Sequence, residues 1–374
     1  MSAARVSASP DPGVLETLRA DLGRTRDQWQ HEGFTAPAAR TLTDLEAFYL
    51  DQPHRARLAR MNRVGHAVWS AAWLLRALFL RLTTARRVLL VLSALMLAAA
   101  SQVPPPDSAP PPLVAALPLV VVLLLELKDK LVARHELEDG RAVQRALMPA
   151  PTPDVPGWDV WLSTNPANDV GGDLVDCVPV NGTRFGLVLG DVAGKGLGAA
   201  LLMAKLQSTI RAWADTAPSP ADLGRRVNRI LCRDGLPSSF ATLVYAEVSP
   251  GSGHVRVLNA GHMPPLRVTA SDVAALPRGG IALGVTPGAD YEAQAVDLES
   301  GDLLVVYSDG VTEAMNLEGE FFDEVRLLEV VSQAAGRSAR ETARAILDAV
   351  ASFVGVAPAH DDVSLVILKR RPAP

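Results

Sequence analysis

Phe185–Met203, FGLVLGDVAGKGLGAALLM, decides how the rest of the chain is read. Its first five residues are an apolar, strand-like run that stops at Gly190–Asp191, and a glycine-rich turn then leads into an Ala/Leu/Met pattern of helical character. A strand that ends on a carboxylate beside glycines can bring that carboxylate to a hard cation while the backbone approaches closely. One aspartate binds a metal weakly, so partners are needed. The sequence offers three at similar places: Asp173 in VGGD, Asp309 in YSDG and Asp361 in HDD, each following or adjoining an apolar, strand-like segment. Taken singly, each is as well explained as a turn residue or a helix cap. Lys195 in GDVAGKG does not make a nucleotide-binding loop, because the spacing differs and Gly196 stands where Ser or Thr should follow.

Composition narrows the field. A length of 374 residues allows two or three domains, and a formal charge of −5 gives no reason to expect nucleic acid. Cys177 and Cys232 are solitary, which excludes a disulfide framework or a zinc ribbon and fits a reducing compartment. Residues 1–87 read as a helical region, with an Arg-rich and Trp-containing stretch from Arg55 to Leu82 that suits either a membrane surface or an ordinary bundle with a solvated basic face. Two uncharged runs follow within residues 88–127, joined by PPPDSAPPP. They predict a transmembrane helical hairpin with both ends in the cytoplasm, which would place the protein at the inner membrane; a hairpin buried in a soluble, cytoplasmic protein is the alternative. Residues 128–156 form a charged linker helix, able to pair between protomers of a homodimer, and a proline boundary, PAPTPDVP.

From Gly157 to about residue 370 the character changes. Short β-type segments (WDVWL, FGLVLGD, FATLVYAEV, HVRVLNA, DLLVVYSD, VSLVILK) are interleaved with helical stretches at Leu197–Ala214, Pro220–Cys232 and Ser338–Phe353. Strict βαβ alternation is missing, so the pattern predicts an α+β fold of antiparallel sheets covered by helices.

The blocks RAVQRALMP, NDVGGDLVD, LGDVAGKGLGAALLMA, SFATLVYAEV, NAGHMPPL, GIALGV, GDLLVVYSDGVTEA and HDDVSLVILK occur in the order and spacing of the PPM-type metal-dependent serine/threonine protein phosphatases. Over residues 141–370 the chain most resembles the bacterial branch named for the stage II sporulation protein E. The resemblance implies two stacked antiparallel β-sheets flanked by helices, with two divalent cations, Mn²⁺ or Mg²⁺, at one end. By position, Asp191 matches the acid that bridges both ions and acts with metal-bound water, and Val192 supplies a backbone carbonyl. Asp309 and Asp361 match ligands of the individual ions, Asp309 counting with Asp191 as catalytic, and Asp173 matches the first-motif acid. Asp362, His360, Gly172 and Gly310 would support these ligands from behind. His262 in AGHMPPL reads as structural, with a proton donor as the alternative.

Chemistry independent of the resemblance agrees with it: carboxylates and carbonyls suit Mg²⁺ or Mn²⁺, and no His/Cys cluster is present to favour zinc. Two features depart from the family pattern. Leu174 and Val175 stand where relatives often have aromatics, and Asp323 stands where a glycine is usual. The resemblance also implies a phosphoprotein substrate, such as an anti-sigma-factor antagonist, but it identifies no arginine to hold the phosphate. A non-catalytic sensor or scaffold that keeps the fold is the competing function, and its mark, a missing metal acid, is absent.

Overall fold

The computed structural model of the chain describes residues 50–100, 111–235 and 239–372. The helices expected before residue 50 and residues 101–110, which hold most of the proline-rich turn between the apolar runs, lie outside the described residues. The chain divides into two compact units, Met1–Lys130 and Leu131–Pro374.

In the first unit, α1 (Gln52–Leu58) and α2 (Arg63–Arg81) begin at Asp51 and Asn62, whose side chains accept from the amides of His54 and Gly65. The apolar runs form α3 (Thr84–Ala100) and the start of α4 (Pro111–Leu147). Arg86 of α3 pairs with Glu126 (2.6 Å) and Asp129 of α4. Among the described residues no helix is long and apolar enough to cross a membrane, which corrects the expected transmembrane hairpin over 88–127. The physical reason is charge and a proline. The first turn of α3 carries Arg86 and Arg87. In α4 the apolar stretch contains Pro118 and gives way to Glu126, Lys128, Asp129 and Lys130.

The second unit is built on two five-stranded antiparallel sheets. One has the order β1 (Trp158–Asn165), β10 (Val363–Arg370), β9 (Leu303–Tyr307), β6 (Leu266–Val268), β7 (Val273–Ala275). The other has β2 (Leu174–Val180), β3 (Arg184–Val192), β4 (Ala241–Val248), β5 (His254–Ala260), β8 (Ala293–Asp297). The sheets stack on Trp158, Leu187, Leu189, Val244, Val257, Leu304, Val306, Val366 and Leu368. Alternate residues face outward. Val188, Leu243 and Tyr245 meet Met203, Leu206 and Ile210 of α5 (Leu197–Ala214) and Leu223 and Val227 of α6 (Pro220–Asp234). On the other side, Val305, Leu365 and Ile367 meet Leu327 and Val331 of α8 (Asp323–Ser332) and Ile346 of α9 (Ala339–Val354). Central strands covered on both faces become continuous apolar runs, which is why DLLVVY and VSLVILK show no polar alternation.

Strand β2 was not legible as such, because Asp176 and Pro179 interrupt its apolar pattern. Buried Asp176 is held by Arg211 (2.7 and 2.9 Å) and Gln207 (3.1 Å), so the strand tolerates it. Leu174 and Val175 are buried on opposite faces of β2, one under α5 and one between the sheets. Asp323 sits at φ +62°, the left-handed region that suits glycine, and its carboxylate accepts from the amides of Val325 and Arg326 at the start of α8. Aspartate thus exchanges glycine's conformational ease for a helix cap.

Candidate active site

Antiparallel pairing delivers the predicted acids to one end of the sandwich. Register sets Leu174 opposite Gly190, so Asp173, entering β2, stands beside Asp191, leaving β3. In the other sheet Leu365 pairs with Tyr307, so the chain leaving β9 at Ser308–Asp309 stands beside Asp361–Asp362 entering β10. Asp309 opens the short helix α7 (Asp309–Thr312).

These carboxylates act on one another. Burial first, then the charges of Asp191 and Asp362, hold the Asp173 carboxyl well above the usual range. Burial, then Asp309 and Asp361, push Asp191 up to about 6. Asp309 is raised by burial and by Asp361. Asp173 is 3% exposed, and its Oδ2 has no hydrogen-bond partner. The nearby Ser308 and Ser364 hydroxyls donate elsewhere, to Asp362 O (3.0 Å) and Thr164 Oγ1 (2.8 Å). Among the described residues no three His, Cys, Asp or Glu side chains are gathered closely enough to hold a metal as they stand. What Asp173, Asp191 and Asp309 share is burial beside like charges, and Asp173 adds an orphaned buried oxygen; a hard cation relieves both.

Asp362 has a different task from its neighbour. Its Oδ1 accepts from Ala167 N (2.8 Å) and its Oδ2 from Gly172 N (2.7 Å) and Asp173 N (3.4 Å), so it pins the VGGD loop by its backbone. The paired glycines are required by this approach. A Cβ on Gly171 would collide with Asp362 Oδ2, and one on Gly172 would lie 3.1 Å from Val192 O. Gly310 passes so close to the Asp362 carbonyl that a Cβ would collide there too. Asp361, in contrast, is exposed, and its Oδ2 lies 3.1 Å from Lys195 Nζ. His360 contributes its carbonyl to the same ammonium (2.8 Å), and its residue is exposed.

The family profile of stage II sporulation protein E (SpoIIE) matches residues 181–371, half of the chain. The chain belongs to the SpoIIE family. RsbU of Bacillus subtilis, a phosphoserine phosphatase, is 28% identical over 240 residues, which cover 64% of this chain and 71% of that protein. Protein IcfG of Synechocystis is 28% identical over 235 residues, 55% of this chain but only 37% of its own length. Among solved structures, the RsbU and RsbW domains of a Mycobacterium tuberculosis protein superpose with a TM-score of 0.51 at 28% identity, covering 60% of this chain and 62% of that one. The SiaA PP2C domain of Pseudomonas aeruginosa gives 0.56 at 19% identity, covering 65% and 99%, a likeness of fold.

Three placements in this SpoIIE-family domain stand out, of which only His262, read as structural, was anticipated from sequence. The first is Gln144, near the end of α4. It is buried and grips Gly171 from both sides, Nε2 donating to Gly171 O (2.8 Å) and Oε1 accepting from Gly171 N (3.1 Å). The linker helix is further tied down where Leu147 O accepts from Gln207 (2.9 Å). A lone glutamine on an irregular amphipathic stripe carries no signal of this. Gln144→Leu leaves both Gly171 groups without a partner, so a loss of about 2–3 kcal/mol in urea unfolding is expected, together with weaker Mn²⁺ binding by calorimetry. Unchanged stability and ion affinity would show the clamp to be idle.

The second is His262, whose Nε2 donates to Tyr307 O (3.1 Å) while Nδ1 accepts from Thr242 Oγ1 (2.6 Å). Burial lowers its pKa to about 4, so it is a neutral cross-brace between the sheets rather than a proton donor. The third is Lys195, at the rim. Cys177 offers no nucleophile, since burial pushes its thiol up to about 12.

Proposed function

We propose that this chain is a metal-dependent phosphatase that hydrolyses phosphoserine or phosphothreonine on a protein, with an anti-sigma-factor antagonist as the substrate class. The observation that carries this reading is the convergence of four strand-end carboxylates on one end of the sandwich, around a buried Asp173 oxygen that lacks any donor. Membership of the SpoIIE family supports it.

In this reading Asp173, Asp191, Asp309, Asp361 and the Val192 carbonyl hold two divalent cations, Mg²⁺ or Mn²⁺. Bound there, the cations supply charge neutralisation and an activated water for in-line attack at phosphorus. The protein's own part is positioning and exclusion. Asp362, through the amides of Gly172 and Asp173, holds Asp173 at the inner side of the site. Asp191, between the two sheets' contributions, is the acid whose charge is felt by and feels the others. No covalent protein intermediate is needed.

The test is phosphate release from a phosphoserine-containing antagonist protein by the full chain. Turnover is expected with Mn²⁺ or Mg²⁺, to fall to background in EDTA, and to return when the ion is restored. Turnover that persists in EDTA contradicts the metal-dependent reading, and absence of both turnover and divalent-ion binding favours a non-catalytic scaffold.

A further inference from the structure

We infer that Lys195 is the cation that holds the substrate's phosphate, leaving Asp361 to do so; this rests on the phosphatase reading above. The turn that carries Lys195 joins β3 to α5. Gly194 and Gly196, on either side of it, have φ +110° and +74°, and a Cβ on either would meet nothing within 4 Å. Glycine is thus demanded there by the path of the backbone rather than by space. That path turns Lys195 over the end of the sandwich, where its ammonium reaches the Asp361 carboxylate (3.1 Å) and the His360 carbonyl (2.8 Å).

Among the described residues Lys195 is the one lysine or arginine in an ion pair with any of the four acids. Its charge also reaches Asp309, where it opposes the upward push of burial. The pair is open to solvent, Lys195 at 60% and Asp361 at 46% exposure, and such a pair costs little to exchange. Asp361 is also the most exposed acid of the set, on the side from which a phosphoprotein must arrive. Once that carboxylate serves a divalent cation, the ammonium loses its partner. A phosphomonoester dianion entering the same space offers oxygens to a flexible point charge, a task for which lysine is suited. Lys195 then supplies the contact for which the sequence identified no arginine.

The experiment titrates inorganic phosphate calorimetrically into the Mn²⁺-loaded full chain, and Mn²⁺ into the metal-free chain, for the parent, Lys195→Met and Lys195→Arg. Lys195→Met is expected to weaken phosphate binding about tenfold or more, with Lys195→Arg recovering most of it. Mn²⁺ binding in Lys195→Met should be as tight as in the parent or tighter, since no ammonium competes for Asp361. Equal phosphate affinity in parent and Lys195→Met overturns the assignment, as does loss of Mn²⁺ binding, which would make Lys195 a structural strut. Phosphate release from a phosphoserine-containing antagonist protein is read separately. If the parent shows none while phosphate affinity still depends on Lys195, the phosphatase reading falls and the phosphate contact stands.

Discussion

Asp191→Asn is expected to lower Mn²⁺-dependent phosphate release by about a thousandfold or more, because it removes the carboxylate that lies between the contributions of both sheets. The same substitution is expected to stabilise the metal-free protein. The Asp191 carboxyl is raised from 3.8 to about 6 by burial and by Asp309 and Asp361. A carboxyl raised in the folded state binds its proton more tightly there than in the unfolded chain, so its contribution is fully present below pH 4 and is lost as pH rises through about 6. Two pKa units correspond to at most about 3 kcal/mol, less here because the residue is partly exposed. In EDTA at pH 7.5, Asp191→Asn should therefore melt about 5 °C above the parent, and the difference should vanish below pH 4. Mn²⁺ should raise the melting temperature of the parent and not of the variant. A variant that melts lower than the parent in EDTA would show that the carboxylate is compensated within the protein itself.

Asp362→Ala is expected to have the largest effect on folding of any substitution at the site. Its two oxygens accept from the amides of Ala167, Gly172 and Asp173, of which Gly172 and Asp173 are buried. Buried amides that lose a charged acceptor cost about 1–3 kcal/mol each, so a loss of about 3–5 kcal/mol in urea unfolding is expected, with Mn²⁺ affinity falling alongside as Asp173 is released. Asp362→Asn keeps one acceptor oxygen and should cost about half as much. Asp361→Ala, at the exposed neighbour, should leave the unfolding midpoint nearly unchanged while abolishing ion binding. If the two alanine variants behave alike, the division of labour between these adjacent acids is wrong.

That division shows where sequence reading stops. The resemblance reads Asp361 of HDD as an ion ligand and Asp362 as its support, and only the packing of VGGD against the entrance of β10 shows that the support is a clamp on the loop's amides while Asp361 stays at the rim. Asp173, Asp191, Asp309 and Asp361 were legible as a set through the family resemblance; the local signal, an acid at the border of an apolar run and a glycine or second acid, is by itself as well explained by a turn or a helix cap. Gln144 was not legible, because its partner, Gly171, lies 27 residues away and a lone polar residue advertises no such contact, and although His262 reads as structural, its partner Tyr307, 45 residues on, was not evident. The apolar runs of α3 and α4 misled in the other direction. Hydropathy alone resembles a membrane span, but Arg86 and Glu126, which pair with each other, put charge into these helices, and among the described residues none is long and apolar enough to cross a membrane.

By itself the sequence determined that residues from Gly157 onward form helix-covered antiparallel sheets, since apolar periodicity is a local property of the chain, and its family resemblance is what grouped the four acids into one expected site. The tertiary structure alone decided which oxygen is orphaned, which acid pins the backbone, and which cation faces the rim. Those depend on strand register, and register joins residues that sequence order keeps apart.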